Sequence, residues 1–266
     1  MAERSIHLTS WGDAGPRVIM VHGGVQGGAA GGAHSFSAQA RLAERGWRVV
    51  VPDRPGHGRS PSPGRPDDAE ADGAWVADLL EDGAHLVGHS FGACVALAAA
   101  AQRPGAVRSL TLIESGMQTL AMDDPHVRMF ILRVLAARMF SLSDAARARR
   151  FMKIVGVPLD LRGGSDPDEL KRVGRGFSRI RVPSRATLER QLGEIKAAGI
   201  PLLVITGGWS PAIDATAARV AAVGGGRWQV VTSPHHFPQL VSDEFNQVLA
   251  AFMTESDATA QAGSRA

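Results

Sequence analysis

The sequence predicts an α/β fold with a mostly parallel sheet, helices on both faces and a helical insertion. Short apolar runs alternate with helical segments along most of the 266 residues, a pattern typical of parallel sheets. This alternation stops between residues 115 and 200, where amphipathic helical patterns dominate. The hydrophobic fraction of 44% provides enough apolar material for one large domain. We expect a core of residues 1–115 and 201–253 and a helical cap over 116–200. Residues 254–266 are small and polar, and we expect them to be disordered.

Six short apolar runs are the predicted strands. In chain order they cover residues 18–21, 47–51, 84–88, 110–113, 201–206 and 228–231. Core helices are predicted around 38–45, 74–80 and 93–100, and the amphipathic stretches of the cap are 127–140, 144–154 and 187–198. Methionines 117, 122, 129, 139 and 152 fall in the insertion. We expect most of them to pack inside the cap, since methionine adapts to irregular apolar spaces.

Residues 88–92 read Gly-His-Ser-Phe-Gly, a G-x-S-x-G pattern. An apolar run precedes this box and the helix-forming segment 93–100 follows it, so Ser90 is predicted in a sharp strand-to-helix turn. Such a turn strains the serine backbone and exposes its hydroxyl group. A Cβ atom at Gly88 or Gly92 would collide with the neighbouring strand or helix. In this context the pattern indicates that Ser90 is a nucleophile.

A serine nucleophile needs a base that removes its proton. Two histidines follow the last predicted strand, in the segment Ser-Pro-His-His-Phe-Pro that begins at Ser233. We favour His236 because it directly precedes Phe-Pro, and His235 is the alternative.

An acid must hold the histidine ring in the productive tautomer. In this architecture it usually follows the strand at 201–206, but the turn there reads Gly-Gly-Trp-Ser-Pro and contains no carboxylate. Asp214 lies four residues beyond Ser210, and Glu114 stands at the carboxyl end of the preceding strand. Functional groups gather at such strand ends. We therefore favour Glu114 as the acid, with Asp214 as the alternative.

The oxyanion of a tetrahedral intermediate needs two hydrogen-bond donors. The backbone N–H of Phe91, directly after the nucleophile, is one candidate, and that of Gly24 is the other. The glycine-rich stretch 23–32 would let the backbone approach a substrate closely. It lacks the Gly-Lys-Ser/Thr ending of a phosphate-binding loop. We expect no nucleotide or other cofactor.

Other polar and aromatic residues have weaker interpretations. Asp53, Arg54, His57 and Arg59 lie in a turn that we expect to brace the loops around the site. Trp209 follows a core strand at the predicted active-site edge. It is a tentative substrate-binding residue whose indole N–H would donate to the substrate, and core packing is the alternative. We find no metal-ligand spacing among Cys, His and Asp residues.

Composition and charge exclude several classes of protein. A net charge of +3 is too small to indicate a nucleic-acid partner. The single cysteine, Cys94, allows no internal disulfide, and it follows Ser90 on the predicted helix as a small buried hydrophobe. Residues 1–5 lead into no apolar signal segment, and no apolar run is long enough to span a membrane. We expect a cytoplasmic protein with no membrane partner, and the sequence is compatible with a homodimer.

Taken together, the motifs of this chain resemble those of the α/β-hydrolase superfamily. They follow one another in the family's order and spacing, over nearly the whole chain. The motifs are His-Gly-Gly from His22, Pro-Asp-Arg-Pro-Gly-His-Gly-Arg-Ser from Pro52, the Ser90 box and the His236 loop. The resemblance implies that Ser90 is the nucleophile, His236 the base, and Gly24 and Phe91 the oxyanion hole. Ser210 at the usual acid position departs from the pattern and points to members with the acid one strand earlier. Zearalenone-type lactonases are similar in this respect, with a glutamate on that strand.

This resemblance implies a carboxylic ester hydrolase, or a lactonase, that acts on a hydrophobic small molecule under the cap. Related dehalogenases and epoxide hydrolases use aspartate where this chain has Ser90, which argues against both activities. Thioester hydrolysis, carbon–carbon bond hydrolysis and a lyase reaction are alternatives within the same fold. A ligand receptor with slow turnover is the alternative from another class.

Overall fold

The computed structural model describes residues 6–26, 28–158 and 166–263, and these contain a seven-stranded sheet. The strands are β1 (Leu8–Trp11), β2 (Arg17–Val21), β3 (Arg48–Pro52), β4 (Ala84–His89), β5 (Val107–Ile113), β6 (Leu202–Thr206) and β7 (Arg227–Val230). Their order is β1-β3-β2-β4-β5-β6-β7. β1 is antiparallel to β3, and the other neighbouring strands are parallel. The predicted mostly parallel sheet is therefore confirmed.

Sequence analysis missed β1, the edge strand. Its residues Leu8–Trp11 alternate between exposed and half-buried positions, so the segment forms no apolar run. The central strands differ because they are covered on both faces. All six residues of β4 are buried, for example. A strand without such a run, such as β1, is therefore not recognised from apolar residues alone.

Nine α-helices lie within the described residues. They are α1 (Gly32–Ser35), α2 (Ala69–Leu79), α3 (Phe91–Gln102), α4 (Pro125–Met139), α5 (Asp144–Ile154), α6 (Pro167–Arg179), α7 (Arg185–Ala197), α8 (Pro211–Gly224) and α9 (Asp243–Gly263). The helices between β5 and β6 begin at N-cap side chains that accept backbone N–H groups, namely Asp124, Ser143, Asp166 and Ser184. None of the described helices combines the length and apolarity needed to cross a membrane.

Two apolar clusters cover the two faces of the sheet. On one face, residues such as Leu86 of β4 and Leu97 of α3 form a cluster with side chains from α2, α7 and α8. On the other face, Val49 of β3 packs with Phe245 and Phe252 of α9. This arrangement leaves the carboxyl ends of the parallel strands for the loops that carry functional groups.

The cap is smaller than the predicted 116–200. α4, α5 and α6 share an apolar cluster of their own, which includes Met152 and Phe177. The apolar side chains of α7 instead join the main cluster on the sheet, where Leu188, Leu192 and Ile195 are fully buried. The sequence did not separate the two groups because α7 has the same amphipathic pattern as the true cap helices.

The prediction of a disordered tail is wrong for residues 254–263, which form the last turns of α9. Met253 and Ser256 are buried there, and Asp257 forms an ion pair with Arg108 at 2.9 Å. These tertiary contacts stabilise a helix whose small, polar residues do not predict one. Residues 264–266 of that predicted tail lie outside the described part of the chain, as do Gly27 and residues 1–5.

A second contact of Asp257 predicts how stability depends on pH. His85 of β4 is fully buried, with Nδ1 2.8 Å from the Ser109 hydroxyl and Nε2 3.3 Å from the Asp257 carboxylate. Burial, opposed by the charge of Asp257, lowers the pKa of His85 from 6.5 to about 4. The folded protein therefore binds fewer protons here than the unfolded chain, and stability is lost as pH falls from 6.5 towards 4.

Between pH 7 and pH 5, we expect protonation of His85 in the unfolded chain to lower the free energy of unfolding by about 2 kcal/mol. The glutamine of His85→Gln cannot be protonated. Its free energy of unfolding, measured with urea, should therefore fall by that much less than the wild-type value over the same pH range. His126→Gln, at an exposed position, is the matched control. Equal pH dependence of His85→Gln and wild type would contradict the assignment.

Candidate active site

Ser90 lies in the turn between β4 and α3, as the sequence predicts. Its φ is +57° and its ψ is −122°, a strained conformation for a residue with a side chain. The Ser90 N–H donates to the carbonyl of Ile113 at 2.9 Å, which ties the turn to the end of β5. A Cβ atom built on Gly88 would lie 2.5 Å from the Gly92 carbonyl oxygen, and one on Gly92 would lie 2.3 Å from that of Val21. Both glycines are needed for the close packing around the turn.

A continuous chain of hydrogen bonds joins Ser90, His236 and Glu114. The Ser90 Oγ lies 2.9 Å from His236 Nε2, and His236 Nδ1 lies 2.9 Å from Glu114 Oε2. An ionised carboxylate only accepts hydrogen bonds, so His236 carries its proton on Nδ1 and its Nε2 accepts the Ser90 hydroxyl. This is the tautomer in which His236 can act as a base toward Ser90.

Glu114 is fully buried, and its carboxylate is held by two further donors. The N–H of Gly207 donates to Oε1 at 2.6 Å, and the indole N–H of Trp209 donates to Oε2 at 2.8 Å. A buried carboxylate is tolerated only when hydrogen bonds replace its lost hydration. The turn after β6, where sequence analysis looked for the acid itself, thus supplies the donors that hold an acid from β5.

Asp214, the alternative acid, and His235, the alternative base, lie in different environments. Asp214 lies in the first turn of α8, where burial, with the nearby charge of Glu114, raises the pKa of its carboxyl group. His235 accepts the Phe237 N–H on its Nδ1 at 3.2 Å, which shapes the loop. The structure thus brings Glu114 and His236 to Ser90, in agreement with the favoured predictions.

The structure corrects the expectation for Trp209. Its indole N–H donates to Glu114, so it is not available as a donor to a substrate. Its ring borders a surface cavity with His126 and Phe130, and it is not among the residues that line the two cavities at Ser90. Trp209 therefore acts on the site through Glu114, a contact between residues 95 positions apart that no local pattern indicates.

Replacement of Trp209 by phenylalanine should distinguish support of Glu114 from direct contact with a substrate. Trp209→Phe removes one donor to the buried carboxylate and keeps an aromatic ring. We expect kcat for a soluble ester to fall about tenfold with KM nearly unchanged, since a hydrogen bond to a charged group is worth about 1.5–3 kcal/mol. Trp228→Phe, at a half-exposed position on β7, is the matched control. A rise in KM with kcat preserved would instead support direct contact with the substrate.

The His236 loop is fixed on both sides by backbone hydrogen bonds. Its N–H donates to the carbonyl of Gly156 at 2.9 Å, and its carbonyl accepts the Nε2–H of His89 at 2.8 Å. Gly156 follows α5 and has a φ of +65°. A Cβ atom there would lie 2.6 Å from the Trp209 ring. Sequence analysis missed Gly156, which links the cap to both His236 and the support of Glu114.

Gly24 and Phe91 border the same small cavity as Ser90. Phe91 is the first residue of α3, so its N–H has no acceptor within the helix and lies at the positive end of the helix dipole. Gly24 has a φ of +91°, a conformation that favours glycine. Both residues therefore occupy positions suited to an oxyanion hole, as predicted.

Arg54 braces the loop that carries Gly24. Its guanidinium group is fully buried, donates to the Gly24 carbonyl at 3.4 Å and stacks over the Phe91 ring at 4.8 Å. Asp67 and Asp72 form ion pairs with it, and Asp67 also accepts the Gln26 N–H at 2.8 Å. The predicted bracing role of the turn is therefore seen for Arg54, and the sequence did not indicate its two carboxylate partners.

Cys94 is fully buried on α3, and burial raises the pKa of its thiol to about 12. This agrees with its prediction as a small hydrophobe, because a thiol is nucleophilic only as the thiolate. Within the described residues, no group of three or more His, Cys, Asp or Glu side chains is arranged to hold a metal ion.

Two cavities meet at Ser90 beneath the cap. The smaller lobe, of about 60 Å³, includes Gly24 and Val173 in its lining, and the larger lobe, of about 200 Å³, includes Val134 and Phe177. The residues common to both linings are Ser90, Phe91, Phe151, Val155, Ile180 and His236. A substrate held at Ser90 would therefore extend into apolar space on two sides.

Comparisons with known proteins agree with this geometry. Residues 16–151, just over half of the chain, match the family described as alpha/beta hydrolase fold. The chain is 43% identical over 100 residues to a pimeloyl-acyl-carrier protein methyl ester esterase of Methylococcus capsulatus. The aligned segment covers 37% of each protein. It is 32% identical over 152 residues to the lipase LipV of Mycobacterium tuberculosis, which covers 54% of each. These matches span about half or less of the length of the relatives.

Solved structures show the same fold over nearly the whole chain. The enol-lactonase from Burkholderia xenovorans LB400 aligns with a TM-score of 0.65 at 19% identity, covering 94% of this chain and 96% of that one. A hydrolase from Pseudomonas aeruginosa aligns with a TM-score of 0.67 at 21% identity, covering 93% and 94%. With its sheet order, the Ser90 turn and the family match over residues 16–151, the chain belongs to the alpha/beta hydrolase fold family.

Proposed function

We propose that the protein is a serine hydrolase that cleaves a carboxylic ester or lactone of a hydrophobic substrate through an acyl-enzyme. The observation that carries this proposal is the hydrogen-bonded chain from Glu114 through His236 to Ser90, which opens on an apolar cavity. Relatives and structural neighbours named as esterases, a lipase and lactonases support ester hydrolysis as the reaction class.

In the first step, His236 Nε2 takes the Ser90 proton as Oγ attacks the substrate carbonyl carbon. The carbonyl oxygen becomes negatively charged and would accept hydrogen bonds from the N–H groups of Gly24 and Phe91. The bond to the leaving alcohol then breaks, and His236 returns the proton to the alcohol oxygen. The products of this step are an acyl-Ser90 ester and the alcohol, which stays attached when the substrate is a lactone.

In the second step, His236 takes a proton from water as the water oxygen attacks the acyl carbon. The bond between the acyl carbon and Ser90 Oγ then breaks, His236 returns the proton to Oγ, and the acid is released. In both steps the imidazole becomes positively charged, and the Glu114 carboxylate stabilises this charge without taking the proton. The N–H groups of Gly207 and Trp209 donate to the buried Glu114 carboxylate and hold it in its orientation toward His236.

The cavity supports a substrate with apolar groups on both sides of the scissile bond. Aliphatic and aromatic side chains form most of the lining of the larger lobe, with a few polar groups such as Gln118 and Thr119. Ligand sites of this kind bind mainly through burial of apolar surface, and a few polar groups fix the orientation. We infer that esters with a bulky apolar acyl or alcohol part are better substrates than small polar ones.

A substrate panel tests this function. The purified full chain should be assayed with nitrophenyl esters of acetate, octanoate and palmitate, an aromatic macrolactone and an acyl thioester. We expect turnover of the apolar esters or the lactone, with kcat/KM higher for octanoate than for acetate. Turnover of the thioester alone would replace the proposal by thioester hydrolysis. One stoichiometric burst without turnover would favour a slow receptor.

A substitution in the larger lobe checks where the apolar group binds. Val134→Phe adds volume to a residue that lines this lobe. We expect KM for the octanoate ester to rise about tenfold while KM for the acetate ester hardly changes. Leu132→Phe, on the same helix but outside the cavity lining, is the control. Equal effects of Val134→Phe on both esters would place the acyl chain elsewhere.

A further inference from the structure

The cap helix α4 is apolar on two opposite sides. On its inner side Val127 and Ala137 are buried. On the opposite side a row of large apolar side chains is exposed, and we call it the outer face of α4: Met129, Leu132, Leu135 and Met139, with Phe140 and Leu142 directly after the helix. Leu132 is 59% exposed and Leu142 is 100% exposed. The expectation that most of the cap methionines pack inside is wrong, because Met122, Met129 and Met139 are exposed and only Met117 and Met152 are buried.

Exposed apolar side chains that form a contiguous patch of this kind mark an interaction site. The outer face therefore indicates a partner, and its charge restricts which one. Residues 125–143 contain Arg128, Arg133 and Arg138 and no acidic residue.

One more exposed cation lies at the carboxyl end of α4: the guanidinium group of Arg150 donates to the Phe140 carbonyl at 3.1 Å. Arg147 forms an ion pair with Asp144, and Arg138 lines the larger lobe. The exposed Arg128, Arg133 and Arg150 are therefore the cations beside the apolar side chains. A second copy of this chain would oppose these cations with like charges. An anionic lipid surface would pair them with phosphates while its acyl region accepts the apolar side chains.

The outer face is also continuous with the entrance of the larger cavity lobe. Leu135 and Val182 are each more than 40% exposed, and both line that lobe. At these two residues, apolar surface therefore connects the outer face with the cavity that contains Ser90.

We propose that the outer face of α4 docks on an anionic lipid surface, with Leu132, Met139 and Leu142 at the level of the headgroups. This replaces the sequence expectation of no membrane partner, and it is compatible with the absence of a membrane-crossing helix among the described residues. Docking in this orientation turns the mouth of the cavity toward the lipid. The proposal concerns binding alone and does not depend on ester hydrolysis.

Flotation of the full chain with lipid vesicles tests the proposal. Wild type is expected to float with phosphatidylcholine vesicles that contain phosphatidylglycerol, more weakly with pure phosphatidylcholine, and less as salt is raised. Leu132→Glu replaces an exposed leucine outside the cavity lining by an anion. It should weaken the partition coefficient by about tenfold or more and leave hydrolysis of a soluble ester unchanged. Leu8→Glu, on the edge strand β1, is the matched control and should bind as wild type does.

Three results would overturn the proposal. The first is failure of wild type to float with anionic vesicles at low salt. The second is equal flotation of wild type and Leu132→Glu, together with sedimentation showing a wild-type dimer that Leu132→Glu dissociates. That result would make the outer face an interface between copies of this chain. The third is equal flotation without any dimer, because the bound surface then lies elsewhere.

Discussion

Ser90→Ala is expected to lower kcat/KM for any ester that wild type cleaves by about 10⁴-fold or more. The hydroxyl that donates to His236 Nε2 and attacks the carbonyl is lost, and alanine has no group that could replace it. The variant should fold normally, since alanine keeps the Cβ atom in the same strained turn. The measurement is kcat/KM for ester hydrolysis by wild type and by Ser90→Ala, after thermal unfolding has shown that the two proteins are equally stable.

Ser115→Ala is the matched control for this prediction. Ser115 is also buried and follows Glu114 at the end of β5. We expect it to retain most of the activity. A fluorophosphonate should add covalently to Ser90 of wild type and Ser115→Ala but leave Ser90→Ala unlabelled, as seen by the peptide mass. Substantial hydrolysis by Ser90→Ala would exclude the serine mechanism.

Glu114→Gln should have the second largest effect, a loss in kcat on the order of 10³- to 10⁴-fold. Every oxygen of the Glu114 carboxylate faces a donor: Gly207 N–H on Oε1, and Trp209 Nε1–H with His236 Nδ1–H on Oε2. A glutamine must turn its NH₂ group toward one of these donors. If it faces Gly207, two N–H groups collide, and if it faces His236, the ring adopts the tautomer that cannot accept the Ser90 proton.

Asp214→Asn tests the alternative acid. Asp214 is not the carboxylate bound to His236, so we expect kcat of Asp214→Asn to change by less than about threefold. Glu114→Asp keeps the charge and should recover part of the activity lost in Glu114→Gln. A larger loss in Asp214→Asn than in Glu114→Gln would assign the acid to Asp214.

The nucleophile and the central strands could be predicted because each depends on neighbouring residues. The Ser90 turn needs glycines two positions away on each side, and a strand covered on both faces needs a short apolar run. The oxyanion positions follow from the same local logic, because Phe91 begins the helix after the nucleophile. These features are encoded within about ten residues of chain.

The acid could only be narrowed to two residues from the sequence. Glu114 and Asp214 both follow core strands, and Glu114 meets His236 across 122 residues of chain. What distinguishes them is the pair of donors from Gly207 and Trp209, which makes a buried carboxylate stable at Glu114. That environment forms only when β5 and β6 lie side by side.

The sequence by itself predicts the fold, and it points to Ser90 and His236 as candidate nucleophile and base, because short-range patterns and backbone requirements encode these features. Tertiary structure alone decided that Trp209 supports Glu114, that Gly156 ties the cap to His236, and that residues 254–263 are helical around Asp257. It also decided that one apolar side of α4 is exposed. The first three features depend on contacts between residues that are distant in the sequence. The last depends on which side of α4 is left without packing contacts. Neither kind of feature leaves a periodic signal in the sequence.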